Sequence, residues 1–289
     1  MLMTIICVIA GIISSALITL LNGLCSSIGD IWIPVLLFLG CTVGFAAAII
    51  VALFIATLFV NMKKPVKKPS KVWFFLYNFF NEFLVFWAGI NLEITEKEKL
   101  GDGPYLFVIN HRSDFDTMLL SQYYKKYNIL MVSKPGNFKI PIAGPAIKKS
   151  GFFCMPKDDP RESLRVVNLA ADYLKAGKYS VGVCPEGTRN KKSRDLLPFK
   201  NGCFKMAVKA NVPIVVFCVN GTEEIHKNFP FRRTKVHLDL LKVITPDDYK
   251  GKNTTEIGDY VRDLMLENIN FYKPLEEKEK EILDEPSAA

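Results

Sequence analysis

Two apolar runs open the chain. Residues 1–21 and 31–60 are almost wholly apolar, and Asp30 is the only charged side chain before Lys63. Each run is long enough to cross a hydrocarbon core of about 30 Å, which takes about 20 helical residues. The second run is the stronger, rich in Gly and Ala with Pro34 near its start. A short polar link, residues 22–30, joins them, so residues 1–62 read as a transmembrane helical hairpin. A secretory signal is the competing reading of the first run, but that would call for a basic start and no second span close behind. Residues 73–90 are apolar in a different way. Nine aromatic side chains, among them Trp73, Phe80 and Trp87, crowd a segment that Asn78, Asn81 and Glu82 interrupt. Carrying Glu82 into a bilayer core is costly, so a helix lying in the interface, with Trp73, Phe80 and Trp87 at the membrane surface, is favoured over a third crossing.

From residue 92 the pattern changes to short apolar runs alternating with amphipathic segments. The runs at 105–109, 128–132, 151–155, 179–184, 212–219 and 235–243 predict strands, and 115–127, 140–149, 161–176, 202–210 and 254–270 predict helices. That order implies an α/β fold with a mostly parallel central sheet flanked by helices. The expected layout is a hairpin at 1–62, a polybasic linker and interfacial aromatic helix at 63–91, a cytosolic domain at 92–272 and a charged, fraying tail at 273–289.

Charge refines this picture. Lys63, Lys64, Lys67, Lys68 and Lys71 follow the second apolar run, against Asp30 alone in the opposite loop. By the positive-inside rule the lysine side is cytoplasmic, and the cluster is suited to anionic headgroups. The net charge is +8 and the pI about 9.0, which calls for an anionic partner such as a membrane or a phosphorylated substrate. Nucleic acid is disfavoured, because the basic residues are split between the linker and turn positions with no recognisable binding module. The seven cysteines show no C-x-x-C spacing, which fits reduced, buried thiols in a cytosolic compartment. No metal is expected, since His226 and His237 lack paired ligands at zinc-site intervals.

The candidate chemistry sits at strand-to-helix turns. His111 follows the predicted strand 105–109, and Asp116 lies in the first turn of the helix after it. An imidazole there can take a proton from a hydroxyl and return it to a leaving group, while a neighbouring carboxylate fixes its tautomer. Ser113 and Asp116 equally fit a capping box at a helix start, so this stretch alone leaves two readings, cap and catalytic pair. No G-x-S-x-G elbow supplies a protein nucleophile, which leaves a substrate hydroxyl as the group to be activated. The run Pro185-Glu186-Gly187-Thr188-Arg189 repeats the logic after another strand, with Lys191, Lys192, Arg194 and Lys200 adding positive charge downstream. Arg189 offers a bidentate fork for phosphate. A third strand ends in Met155-Pro156-Lys157. In α/β sheets ligands gather beyond the carboxyl ends of parallel strands, so the three turns are expected to converge.

Asn110-His111-Arg112-Ser113-x-x-Asp116 resembles the H-x4-D block of the glycerolipid acyltransferases, and Pro185–Arg189 resembles their P-E-G-T-R block. Val212-Pro213-Ile214-Val215 is similar to their apolar fourth block. The second block departs from the family, with Met155-Pro156-Lys157 standing where it ends I-D-R. The likeness covers about residues 73–243 and is strongest to the 1-acylglycerol-3-phosphate acyltransferase branch. It implies that His111 deprotonates the 2-hydroxyl of lysophosphatidic acid with Asp116 orienting the ring, and that the oxygen attacks the thioester of acyl-CoA or acyl carrier protein without an acyl-enzyme. It implies that Glu186, Gly187, Thr188 and Arg189 hold substrate, helped by Lys157, Arg161 and Lys200, with backbone N–H groups near Gly187 facing the oxyanion. No cofactor beyond the acyl donor is expected; lysophosphatidic acid and anionic phospholipids are the expected membrane partners. Glycerol 3-phosphate, another lysophospholipid or an amine-bearing lipid are alternative acceptors, and a non-catalytic lipid-binding protein is the alternative of another class.

Overall fold

The computed structural model describes residues 2–24, 27, 30–66, 68–156, 158–190 and 195–284, with side chains up to residue 272. Both opening runs are helical: α1 is Leu2–Asn22 and α2 is Trp32–Leu58. Each is long and apolar enough to cross a membrane. The buried positions of α1 are Met3, Cys7, Gly11 and Ser15, one per four residues, which is the spacing of a single helix face. Small residues let helix backbones approach, and a Cβ added to Gly11 would meet the Thr42 hydroxyl of α2 at 2.1 Å. The remaining faces are exposed Ile, Leu, Val and Phe.

The aromatic segment forms α3, Lys71–Trp87. Trp87 is exposed, as are Val72, Phe75 and Phe86, whereas Trp73 and Phe80 are half-buried. By its contacts the chain divides into one unit of residues 1–86 with 136–151 and another of residues 87–135 with 152–289. Residues 136–151 therefore group with the N-terminal segment rather than with the α/β domain in which they were expected. Ser70 N–H donates to the Lys149 carbonyl at 2.9 Å, and the Lys148 ammonium to the Met62 carbonyl.

The second unit is built on a seven-stranded sheet among the described residues, with the order β1-β7-β6-β2-β5-β3-β4. The strands are β1 Ile90–Glu96, β2 Leu106–Ile109, β3 Ile129–Ser133, β4 Phe153–Cys154, β5 Ser180–Val183, β6 Ile214–Asn220 and β7 Thr234–Ile244. All pairings are parallel except β6 with β7. The principal helices are α4 Asp114–Tyr123, α5 Ala143–Ser150 (in the first unit), α6 Pro160–Lys175 and α7 Lys205–Ala210. After the short α8 Ile225–Asn228 and α9 Pro246–Tyr249 comes α10, Thr254–Asp284. The mostly parallel α/β sheet is thus as expected, with an additional edge strand. β1 is not among the predicted strands, although Ile90, Leu92 and Ile94 alternate with Asn91, Glu93 and Thr95. Its exposed edge position gives it little of the continuous apolar run that marks buried parallel strands. The tail was expected to fray, but α10 continues as helix through Asp284; residues 285–289 lie outside the described part.

β2 is wholly buried, and Phe107 packs among the rings of Tyr105, Tyr124, Tyr127 and Phe217 at centroid distances of 5.5–6.1 Å. Each such ring contributes about 1.5–3 kcal/mol through burial. This aromatic cluster makes β2 a rigid support for the turn that follows it. At the end of the neighbouring β6, Gly221 has φ +90°, and a Cβ there would lie 2.4 Å from the Lys235 carbonyl oxygen. Gly221→Ala should therefore destabilise the protein by about 1–3 kcal/mol, as expected for a residue forced into a sparsely populated backbone region. A fluorescence melt of detergent-purified protein that left Tm unchanged would contradict this close approach.

Candidate active site

His111 and Asp116 meet. The Nδ1 atom of His111 lies 3.0 Å from Asp116 Oδ2. The same oxygen accepts the backbone N–H groups of Arg112 at 2.6 Å and Ser113 at 2.7 Å, while Oδ1 accepts the Thr222 hydroxyl at 2.5 Å. Asp116 is 0% exposed. Ser113 caps α4 and Asp116 completes a capping box, so cap and His partner are one arrangement. With Nδ1–H given to Asp116, the Nε2 lone pair is the one left to take a proton. The His111 side chain is 19% exposed, enough to be reached from outside.

The turn after β5 clamps the backbone of His111 from both sides. Glu186 Oε1 accepts the His111 N–H at 2.7 Å, and the Asn190 N–H donates to the His111 carbonyl at 2.9 Å. Glu186 Oε2 accepts the Leu197 N–H at 2.9 Å, and Glu186 is buried. Both of its oxygens thus fasten loops around His111. Burial pushes its carboxyl pKa up, against the opposing effect of those backbone donors. The Gly187 N–H donates to the Cys184 carbonyl at 3.0 Å. Gly187 has φ +66°, and the Lys200 side chain lies over it, Nζ being 3.2 Å from where a Cβ would stand. Thr188 is exposed, and Arg189 is paired with Asp114 in the first turn of α4.

The structure thus brings His111, Asp116, Glu186, Gly187 and Lys200 together, with Arg189 tied to α4. Arg161 is exposed in the first turn of α6, its N–H on the Asp159 cap, and makes no hydrogen bond to this group among the described residues. Lys157 lies outside the described residues. Among those described, no three His, Cys, Asp or Glu side chains gather as a metal site would require.

Four further residues shape the site. Asn110, fully buried, exchanges two hydrogen bonds with the backbone of Val219 (2.7 and 2.9 Å) and so ties the end of β2 to β6. Arg112 holds Glu223 at 2.6 Å. Thr222 seats Asp116. Cys184, just after β5, acts electrostatically on the His111 ring. Burial alone would lower the pKa of the imidazole, but the Cys184 sulfur and the Asp116 carboxylate act the other way and hold it well above its ordinary 6.5. Asn110 and Arg112 stood inside the recognised motif. Cys184 adjoined the second motif, whereas Thr222 carried no local signal.

Residues 91–220 match the family model described as Acyltransferase. The 1-acyl-sn-glycerol-3-phosphate acyltransferase of Saccharomyces cerevisiae is 27% identical over 184 residues, 63% of this chain and 60% of that protein. The chloroplastic 1-acyl-sn-glycerol-3-phosphate acyltransferase BAT2 of Brassica napus is 35% identical over 203 residues, 66% of this chain and 57% of that protein. The match therefore spans about 60% of the length of these relatives. The crystal structure of the 1-acyl-sn-glycerophosphate (LPA) acyltransferase PlsC from Thermotoga maritima shares the fold, with a TM-score of 0.53 at 22% identity over 69% of this chain and 79% of that one. Both sequence blocks stand at neighbouring strand ends within residues 91–220, the part of the chain that is similar to the Acyltransferase family.

Proposed function

We propose that the protein moves a fatty acyl group from acyl-CoA or acyl carrier protein to the 2-hydroxyl of lysophosphatidic acid, giving phosphatidic acid. The observation that carries this reading is the 3.0 Å contact of His111 Nδ1 with a buried carboxylate that three other donors hold in place. His111 Nε2 takes the proton of the lipid hydroxyl. The oxygen attacks the thioester carbonyl, the thiolate leaves, and the imidazolium returns the proton to it. Atoms balance without an acyl-enzyme. Asp116 keeps Nδ1 protonated and stabilises the transient cation.

The acceptor phosphate is recognised by cations at the turn after β5. The Arg189–Asp114 pair has side chains 27% and 65% exposed, and such solvated pairs contribute only about 0–1 kcal/mol. A phosphate can therefore replace Asp114 as the partner of Arg189 at small cost. Lys200, lying across Gly187, adds a second cation. The apolar hairpin anchors the enzyme in the membrane, and the lysines following α2 put the α/β domain on the cytoplasmic side.

Acyl transfer from labelled acyl-CoA and acyl carrier protein, assayed in proteoliposomes against lysophosphatidic acid, glycerol 3-phosphate and a neutral lysolipid, tests the assignment. Turnover should be highest with lysophosphatidic acid; a clear preference for a neutral acceptor would overturn it. His111→Ala should lose about 10²–10⁴-fold in kcat, the usual contribution of general-base catalysis, while keeping the circular dichroism of the parent. A variant with near-normal turnover would end this mechanism.

The base is the neutral imidazole, populated only above its pKa. Since that pKa is raised, kcat/KM should climb with pH through a value above 6.5. Removing the Cys184 sulfur withdraws one of the two groups that raise it. Cys184→Ala should therefore move this acidic limb to lower pH, and a limb that stayed in place or moved up would show that the sulfur does not tune the ring.

A further inference from the structure

The chain that leaves the His111–Asp116 pair ends in an exposed turn. Thr222, whose hydroxyl Asp116 accepts, and Glu223, which holds Arg112, lead directly into α8. Next comes Phe229-Pro230-Phe231-Arg232-Arg233, folded back by the N–H groups of Phe231 and Arg232, which both donate to the Asn228 carbonyl at 3.1 and 2.8 Å. Phe231 is 94% exposed and Phe229 52%. Arg232 and Arg233 are exposed as well, as is Lys227, which pairs with Glu224 on α8. The turn then joins β7, where the Thr234 N–H donates to the Gly89 carbonyl at 3.0 Å and β7 runs parallel to β1 from Ile90. Two residues before Gly89 stands Trp87, 54% exposed.

Single exposed apolar side chains are ordinary on protein surfaces. Two phenylalanines at the tip of one tight turn, with two arginines beside them and an exposed tryptophan on the adjoining strand entry, make a different surface. Aromatic rings favour the acyl-headgroup boundary, and guanidinium groups pair with lipid phosphates. The sign of the charge selects an anionic surface.

We propose that the turn Phe229–Arg233 is a membrane-insertion element. Phe229 and Phe231 enter the acyl region of an anionic bilayer, Arg232 and Arg233 lie at its phosphates, and Trp87 lies beside them. Because Thr222 and Glu223 couple the start of this segment to Asp116 and Arg112, the insertion fixes the depth of His111 relative to the lipid surface. That last step rests on the acyltransferase reading; the insertion itself does not.

The experiment uses the full chain in phosphatidylcholine–phosphatidylglycerol proteoliposomes, with a photo-cross-linking benzoylphenylalanine in place of Phe231. Lipid adducts on the peptide carrying residue 231, increasing with phosphatidylglycerol content, are expected. Irradiation that yields no lipid adduct, or protein adducts alone, overturns the proposal, and this arm needs no turnover. In a second arm, Phe229→Ser/Phe231→Ser should lower transfer to bilayer-embedded lysophosphatidic acid about tenfold through loss of the inserted aromatic anchors. Transfer to a water-soluble short-chain analogue should stay unchanged. Equal losses on both acceptors would refute the depth-setting role, while a parent enzyme without any transfer activity would refute the acyltransferase reading and leave the cross-linking result standing.

Discussion

The carboxylate of Asp116 is shut away from solvent and accepts four hydrogen bonds, and the local architecture follows from satisfying it. Leaving a buried charge without partners is strongly destabilising, so the chain folds donors around it. Two come from the backbone of Arg112 and Ser113, one from the His111 ring and one from the Thr222 hydroxyl. Those bonds start α4, shape the turn after β2 and fix the tautomer of the imidazole at once. A single arrangement therefore supplies a helix start and a fixed His111–Asp116 pair, so mutation of Asp116 would disturb both.

The sheet order explains how distant segments reach this carboxylate. β2 lies between β6 and β5, so the turns after three adjacent strands sit side by side. The turn after β2 provides His111 and Asp116. The one after β5 provides Glu186, which grips the backbone of His111. β6 runs on to Thr222, after Asn110 has bound its backbone at Val219. Parallel strands put these ends at one edge of the sheet, where an α/β fold leaves a crevice. The wholly buried β2 and the aromatic cluster around Phe107 keep that edge from shifting.

Charge is distributed by the same logic. Arg189 is held by an exposed pair with Asp114, whereas the Arg112–Glu223 pair is largely buried and structural. On the far side of Glu223 the chain reaches the exposed turn at Phe231, so one continuous segment runs from the carboxylate to the surface.

Much of this was legible in the sequence, because it depends on local chemistry. Unbroken apolar runs specify α1 and α2, and alternating apolar runs and amphipathic segments specify most strands and helices of the α/β domain. The residue types at the strand-to-helix turns marked His111, Asp116 and the Pro185–Arg189 block. The antiparallel pairing of β7, the edge strand β1 and the grouping of residues 136–151 with the N-terminal segment were not legible, since each depends on which elements become neighbours. The same holds for Glu186, whose grip on the backbone of His111 and Leu197 no pattern announces, and for Thr222, which no motif marks. A sequence determines what each segment can form and which side chains carry chemistry. Only the packed sheet decides which strand ends meet, and a hydrogen bond between residues 106 positions apart, such as Thr222 to Asp116, exists only once they have met.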